Sequence, residues 1–511
     1  MPLCLFNTMS HKIEEFIPIR EGHCGFYGCG PTVYNYAHIG NLRAYVFLDL
    51  LDKSLTYMGY DVTHVMNITD IGHLTGDADD GEDKMLKTAQ EKGESVLQIA
   101  DFFTKAFFND IDRLNIRRPD IVCKATDHLS EMIELNKRLE KNGHTYMSGG
   151  NLYFDVSTFP DYGKLANLKL DDLKAGARIA VDKNKRNPYD FVLWFTKSKF
   201  EKQALTWDSP WGRGYPGWHI ECAAMSMKYL GEHFDIHTGG IDHIPIHHTN
   251  EIAEAEGATG TKWVNYWLHN EFLVIAKNNG SDEASGKMSK SKGNFLTLQK
   301  LIDRGYSALD YRFFLLGAHY RSQVAFSWEA MDSAKNAREA LIKRVARVLA
   351  AAKISDYSAI TSLETEDIAH KNGKKGTGTE EQKNWLQKFS LALQSDLNSP
   401  KALSVLQGAV KAKDMTPNEC VQVIATIEKV TSFDLLKEAL LLNKNRANEQ
   451  LNLIDIQGSD SELSEIHALI EERTKAKQEK NYNRADEIRK DLLARGIIIK
   501  DTPQGVVCTR N

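Results

Sequence analysis

Two short, widely separated segments of this 511-residue chain carry side chains suited to polyphosphate chemistry. The first is His38-Ile39-Gly40-Asn41. Gly40 lets an oxyanion come close to the backbone, and an imidazole or amide beside it can donate to a phosphoryl oxygen. The second is Lys287-Met288-Ser289-Lys290-Ser291, which follows the glycine- and serine-bearing run 278–286. Two lysines on such a loop can follow the β- and γ-phosphates while the bond to the α-phosphorus breaks. Each motif alone is weak: a histidine at a strand–helix turn is often structural, and a lysine pair is commonly a solvated loop. Their conjunction carries the reading. His247 and Glu251 stand four apart, so on a helix they share one face. Seven cysteines are present with no Cys-x-x-Cys pair, so their spacing alone shows neither a metal site nor a disulfide framework.

The elements around these residues must bring them together. Cys24 to Cys29 reads as a strand, Gly30-Pro31-Thr32 as a turn, Leu42 to Tyr60 as a helix, and Asp61 to Ile68 as a second strand. Strand, glycine-bearing turn, helix and strand make a βαβ unit, whose ligands sit at strand carboxyl ends near helix N-termini. Cys29 ends the first strand on that face. The pattern from Glu91 to Leu139 is helical. Asn151 to Trp194 is mixed and reads as an insertion. The α/β pattern resumes at His233 to His237 and Trp263 to Ile275. Ala334 to Lys353 and Lys383 to Ala412 read as long amphipathic helices. Polar linkers are expected at Glu364 to Gln382 and Asn443 to Gly458. The tail from Glu462 reads as helix, helix and a hairpin over Ile497 to Val507. Its lysines and arginines, Lys475, Lys477, Lys480, Arg484, Arg489 and Lys490, suggest a basic helical face; such a run is usually only a solvated surface. Asp77 to Asp83 reads as a solvated acidic loop.

Composition excludes several classes. A content of 42% hydrophobic and 26% charged residues is that of an ordinary globular protein. No run reaches the roughly 18 apolar residues that cross a membrane. Met1 to Arg20 has scattered charges and no apolar signal core, so no membrane association and a cytoplasmic location are expected. A net charge of −5 rules out bulk positive charge as the source of nucleic-acid affinity, leaving a local basic surface for that role.

The His-Ile-Gly and Lys-Met-Ser-Lys-Ser pair resembles the two signatures of class I aminoacyl-tRNA synthetases. Further segments resemble the cysteinyl-tRNA synthetase family: Leu5 to Thr8, Tyr27 to Asn41, Asn67 to Asp70, Lys185 to Trp194, Gly217 to Cys222, His319 to Gln323 and Lys480 to Thr502. The resemblance implies a Rossmann-like parallel-sheet α/β catalytic domain with an insertion, then a helical bundle and a small α+β C-terminal module. The expected boundaries are 1–125 and 206–270 for the two catalytic halves and 126–205 for the inserted segment. They continue with 271–325 for the Lys-Met-Ser-Lys-Ser junction, 326–445 for the tRNA-binding bundle and 446–511 for the linker and anticodon module.

By the same resemblance, His38, Gly40, Asn41, Lys287 and Lys290 bind ATP, and all but Gly40 act in catalysis, with Mg²⁺ accompanying ATP. Cys29, Cys222, His247 and Glu251 hold one zinc ion, which selects a thiol over a hydroxyl. Thr69 and Trp218 shape the amino-acid pocket, and Asp242 accepts from the substrate ammonium. The substrates implied are cysteine, ATP and a cysteine-specific tRNA, handled by a monomer. Three departures from the family pattern stand out. Asn41 replaces a second histidine. Gly72 to Glu82 is inserted and carries no assigned role. The run Gly239 to Glu251 lacks proline directly before its paired histidines, which leaves His247, His248 and His243 all as candidate ligands. Two other functions are compatible with such a core. One is a ligase joining cysteine to an amino sugar, which needs no anticodon module. The other is a tRNA-binding paralogue without catalysis, which would not need the phosphate and metal residues.

Overall fold

A computed structural model describes residues 2–71, 85, 88–89, 91, 94–168, 183–197, 205–276, 286–287, 295–364, 378–451, 460–479, 481–502 and 505–510. The chain divides into two compact units. The first comprises Met1–Glu339, Glu366–Ala409 and Thr426–Phe433, and the second Ala340–Thr365, Val410–Ala425 and Asp434–Asn511. No described helix is long and apolar enough to cross a membrane.

The first unit begins with an antiparallel hairpin, β1 (Cys4–Asn7) and β2 (Lys12–Glu15). A βαβαβ run follows: β3 (His23–Gly28), α1 (Ile39–Tyr57), β4 (Asp61–Ile68), α2 (Val96–Arg113) and β5 (Ile121–Lys124). After α3 (Leu129–Lys141) comes the insertion, an antiparallel four-stranded sheet of β6 (Thr145–Ser148), β7 (Asn151–Phe154), β8 (Phe191–Phe195) and β9 (Tyr215–Pro216). The chain then returns through α4 (His219–Leu230), β10 (Phe234–Gly240), α5 (His247–Thr259) and β11 (Val264–Asn270). The central sheet has the order β11-β10-β3-β4-β5 and is parallel throughout. The order in which strands are added switches sides between β3 and β10, which opens a crevice at their carboxyl ends. In sheets of this kind that crevice is where ligands bind.

Helix α1 is buried on nearly every side, and its charged residues Arg43, Asp49, Asp52 and Lys53 are each paired. Asp49 accepts from Lys53 at 2.8 Å and from Arg312, and Asp52 accepts from Arg117 at 2.7 Å. Beyond the sheet, β12 (Leu273–Ile275) lies between the edge strand β13 (Gly286–Lys287) and, after α6 (Leu298–Asp303) and α7 (Ala308–Leu316), β14 (Val324–Phe326). Helix α8 (Trp328–Ala351) then runs on into the second unit, which also contains α9 (Tyr357–Glu364).

Several expectations from sequence are corrected. The helical reading of Glu91 to Leu139 hides β5, a central-sheet strand of only four residues, too short for an alternation to register. The reading of Lys383 to Ala412 as one helix fails because α10 (Glu380–Gln394) and α11 (Ser399–Ala409) are separate. Between them Asp396 and Leu397 have positive φ of 56° and 53°. Asp396 holds this conformation because its carboxylate accepts from Phe6 N, Tyr320 Oη and Arg321 Nε, at 2.9, 2.6 and 2.7 Å. Last, after α12 (Pro417–Thr431), α13 (Leu435–Leu451) covers most of the supposed linker Asn443 to Gly458. Its Lys, Asn, Arg, Glu and Gln residues are polar yet compatible with a helix. The supposed loop Glu364 to Gln382 likewise ends in helix, since Thr379 and Gln382 form a capping box at the start of α10. The acidic run and the Gly72 to Glu82 insertion lie outside the described residues.

The second unit ends in α14 (Asp460–Gln478), α15 (Tyr482–Ala494) and an antiparallel hairpin of β15 (Ile497–Thr502) and β16 (Gly505–Arg510). A small core of Ile466, Ile470, Ile488, Leu492, Ile497, Ile499 and Cys508 holds them together.

Candidate active site

The crevice has two chemically distinct ends, both reached from the connection between β3 and α1. That connection leaves β3 at Cys29 and enters α1 at His38. At Gly30 it passes so close to β4 that a Cβ would lie 1.7 Å from the carbonyl oxygen of Asn67, which only glycine avoids.

At the helix end, His38 and Asn41 form a reciprocal capping box. Asn41 N donates to His38 Nδ1 at 3.0 Å, and His38 N donates to Asn41 Oδ1 at 3.1 Å. The first bond decides the tautomer. With Nδ1 accepting, the neutral ring carries its proton on Nε2. Asn41 thus does a job at this helix start that needs an acceptor oxygen, which a side-chain amide supplies. The segment after the Lys-Met-Ser-Lys-Ser run docks on the same spot. Ile39 N donates to Leu296 O at 2.8 Å, His38 bridges Thr297, and Phe295 packs edge-on against the His38 ring. The backbone of Lys287 lies in β13, opposite Val274 of β12. Lys290 lies outside the described residues. Gly40 sits in the first turn of α1.

At the other end, Cys29, Cys222, His247 and Glu251 converge, with one ligand atom from each within 4.8 Å of all the others. Cys222 comes from the first turn of α4, and His247 and Glu251 from the first turns of α5. A second grouping, Cys29, His237, His248 and Glu251, meets the same distance limit and overlaps the first. Hydrogen bonding separates the two. His237 Nε2 lies 2.7 Å from Glu251 Oε2 as a donor, so its proton faces the carboxylate. His247 Nε2 lies 2.8 Å from Glu251 Oε1 and 3.7 Å from Cys222 Sγ, yet Oε1 is buried with no aligned donor. That is the geometry of two ligand atoms approaching a common centre. Two thiols, an imidazole and a carboxylate form a donor set suited to zinc.

Electrostatics agree with this arrangement. Burial alone would raise the Cys29 thiol, but Cys222 and the imidazoles of His248, His243 and His247 outweigh it and hold Cys29 well below the usual thiol range. Cys222 is raised well above the usual thiol range by its hydrogen bond to Cys29 and by burial. Burial opposes ionisation of Glu251, yet His247, His237 and His248 bring it down to about 2. Burial pulls His248 down to about 4.

His248 was one of the candidates from sequence, but its contacts, and the places of His219, His237 and His269, were not legible there. His248 Nε2 lies 3.3 Å from Cys29 Sγ, and its Nδ1 meets His269 Nε2 at 2.8 Å. His269 in turn meets Thr8 Oγ1 at 2.8 Å. His219 Nδ1 lies 2.8 Å from His247 Nδ1. Gly239 admits this crowd of rings, since a Cβ there would lie 2.6 Å from both His243 Nδ1 and His248 Cε1. The one available signal was the glycine pair placed just before a histidine-rich turn. Trp218 packs on the His247 ring at 4.5 Å. Thr69 is buried, donates to Glu221 Oε2 at 3.0 Å and accepts from Asn67 Nδ2 at 3.0 Å. Asp242 sits exposed in the single turn Ile241–His243. The expected basic face of the tail is partly neutralised. Arg484 pairs with Glu472 and Glu487 and Lys477 with Asp501, while Lys480 lies outside the described residues.

Residues 15–336 match the family described as tRNA synthetases class I (C) catalytic domain, and residues 462–507 match the Cysteinyl-tRNA ligase anticodon binding domain. A Cysteine–tRNA ligase of Treponema denticola is 60% identical over 504 residues, 98% of each chain. One from Treponema pallidum (strain Nichols) is 45% identical over the whole of both chains. Among solved structures, a Mycobacterium tuberculosis methionyl-tRNA synthetase in complex with methionyl-adenylate superposes with a TM-score of 0.51 at 14% identity. The superposition covers 84% of this chain and 94% of that one. At that identity the likeness is one of fold.

Proposed function

The chain belongs to the cysteine–tRNA ligase family, with a class I catalytic domain, and on that premise we propose how its two-ended crevice charges tRNA with cysteine. The observation that carries the proposal is the convergence of two thiols, an imidazole and a carboxylate in the crevice that also receives the α1 N-terminus.

Cysteine's carboxylate oxygen forms a bond to the α-phosphorus of ATP. The bond from that phosphorus to the bridging oxygen breaks, and pyrophosphate leaves with the electron pair. His38, protonated on Nε2, donates to a phosphoryl oxygen, and the N-terminus of α1 adds its positive dipole end. Asn41 holds the His38 tautomer. Lys287 and Lys290 neutralise the phosphates, with Mg²⁺ as part of the ATP substrate. A hydroxyl of the terminal ribose of tRNA then attacks the activated carbonyl, and AMP leaves. The C-terminal module, from Glu462 onward, takes the anticodon end.

Cys29, Cys222, His247 and Glu251 would hold zinc, which when bound supplies a Lewis acid that prefers a thiolate to an alcohol. His247 is favoured over His248 because its Nε2 lies 2.8 Å from Glu251 and 3.7 Å from Cys222, whereas Nε2 of His248 makes its close contact with Cys29, at 3.3 Å. His237 fixes the carboxylate of Glu251 by donating to its other oxygen. Trp218 covers one face of His247. Glu221 holds the Thr69 hydroxyl at the pocket wall, and Asp242 accepts from the substrate ammonium.

ATP–pyrophosphate exchange with each of the twenty amino acids tests this reading. Exchange should depend on cysteine and stay at background with serine. Equal exchange with both would sink thiol selection.

A further inference from the structure

We propose that Arg43 is a positioning residue for adenylation, fixing β12, the strand that pairs with the Lys287-bearing β13, against the phosphate-binding start of α1. Arg43 lies two residues beyond Asn41 on the same helix and is buried. Its guanidinium donates to four backbone carbonyls: those of Phe272 and Ser322, that of Tyr320 at 3.2 Å and that of His319 at 3.4 Å. Phe272 immediately precedes β12, and Ser322 stands two residues before β14. Those are the two adjacent strands of the sheet β13-β12-β14, so one side chain holds the entry of both.

A short mechanical path follows from this. Asn41 and Arg43 share one turn of α1. Arg43 grips Phe272, Val274 lies two residues on, and Val274 pairs directly with Lys287. The far end of the same lysine-bearing segment is tied to α1 as well, through Ile39 N and Leu296 O at 2.8 Å. From behind, Asp396 braces residues 319–321, accepting from Tyr320 Oη at 2.6 Å and Arg321 Nε at 2.7 Å, while its carbonyl lies 2.8 Å from His319 Nε2.

Arginine suits the role. Its rigid fork offers five N–H donors that can serve several carbonyls at once, whereas lysine offers three from a single point. Burial draws the guanidinium down to about 10, which leaves it charged at neutral pH. An error in the spacing between His38 and Lys287 would act on the transition state, where both must meet the same polyphosphate.

This inference rests on the adenylation reading above. The test uses the full-length Arg43→Lys enzyme in cysteine-dependent ATP–pyrophosphate exchange. The kcat should fall about tenfold or more, with the KM for cysteine unchanged within about twofold. The thermal midpoint should stay close to that of the parent. In a Lys287→Ala background, Arg43→Lys should cost less than about twofold more, because β13, held through β12, no longer carries the lysine. Asp396→Asn, which leaves Arg43 in place, should show the same pattern at smaller amplitude and serves if Arg43→Lys does not fold. Full multiplicative losses in the double variants, or a matching rise in the cysteine KM, would overturn the proposal. Parent enzyme without cysteine-dependent exchange would instead overturn the adenylation reading itself.

Discussion

Cys222, His247 and Glu251 stand in the catalytic core with almost no solvent exposure, whereas Asp501, on which two cations of the C-terminal module converge, is 45% exposed. The two regions use polar groups in opposite ways. In the crevice, thiols, imidazoles and carboxylates are one another's only solvent, so removing one strands the rest at low dielectric. In the module, the pairs Arg484–Glu472, Arg495–Glu465 and Arg510–Glu462 lie near water, where each contributes little. Seven apolar side chains hold the module instead. Cooperativity therefore belongs to the crevice, and tolerance to the module.

The largest expected effect breaks the crevice. Cys222→Ser should lose bound zinc, measured by atomic absorption, and lower cysteine-dependent exchange by more than about 100-fold, beyond the usual cost of losing an outer-shell partner. Retained zinc with normal cysteine use would place the metal, and the selectivity, elsewhere.

An intermediate effect separates the regions by function. Deleting residues 462–511 should leave ATP–pyrophosphate exchange within about twofold of the parent and lower tRNA charging by about 100-fold, as loss of a binding element would at limiting tRNA. Parallel loss of both activities in a folded truncation would show that the module is needed for adenylation.

The smallest effect sharpens the comparison inside the module. Arg473 is the exception there, buried and paired in bidentate fashion with Asp501 at 2.9 and 2.8 Å. Hydrogen bonding from Arg473, then from Lys477, holds the Asp501 carboxyl well below its usual range against a smaller burial penalty. Arg473→Ala should cost about 1–2 kcal/mol of local stability, discounted because Asp501 faces solvent. The sign of the pH dependence follows from the depressed carboxyl. The pair's stabilisation should be fully present above about pH 4, the ordinary carboxyl range, and decline as pH falls further. Hydrogen exchange of the β15–β16 amides measures both; protection that ignores pH in this range would rule out an energetic role for the pair.

The parts of the fold legible in sequence were those with strong local signals. β3, α1 and β4 follow from a run of apolar strand residues, a glycine-bearing turn and helical spacing. The tail's two helices and hairpin follow from the same cues. β5 was hidden because four residues between helices carry no period, and its strand identity comes from pairing with β4. The break at Asp396 was hidden because its left-handed conformation is held by Phe6, Tyr320 and Arg321, all distant in sequence.

By itself, the sequence determined the helix start on which the proposed phosphate chemistry rests. His38 to Asn41 is a contiguous helix start, and its donors are set by local capping that adjacent residues supply. It also limited the metal chemistry to candidates: Cys29 at a strand end and a His–Glu pair on one helix face. Only the tertiary structure decided which candidates meet. Cys29, Cys222 and His247 come from three elements, and their convergence depends on β3 and β10 lying side by side in a parallel sheet. It also decided that His237 donates to Glu251 while His247 approaches its other oxygen, a difference of atoms within one crowded pocket. Local sequence can specify a helix cap because its partners are three residues apart. A site assembled across a sheet has no such spacing to read, since the fold rather than the chain brings its ligands together.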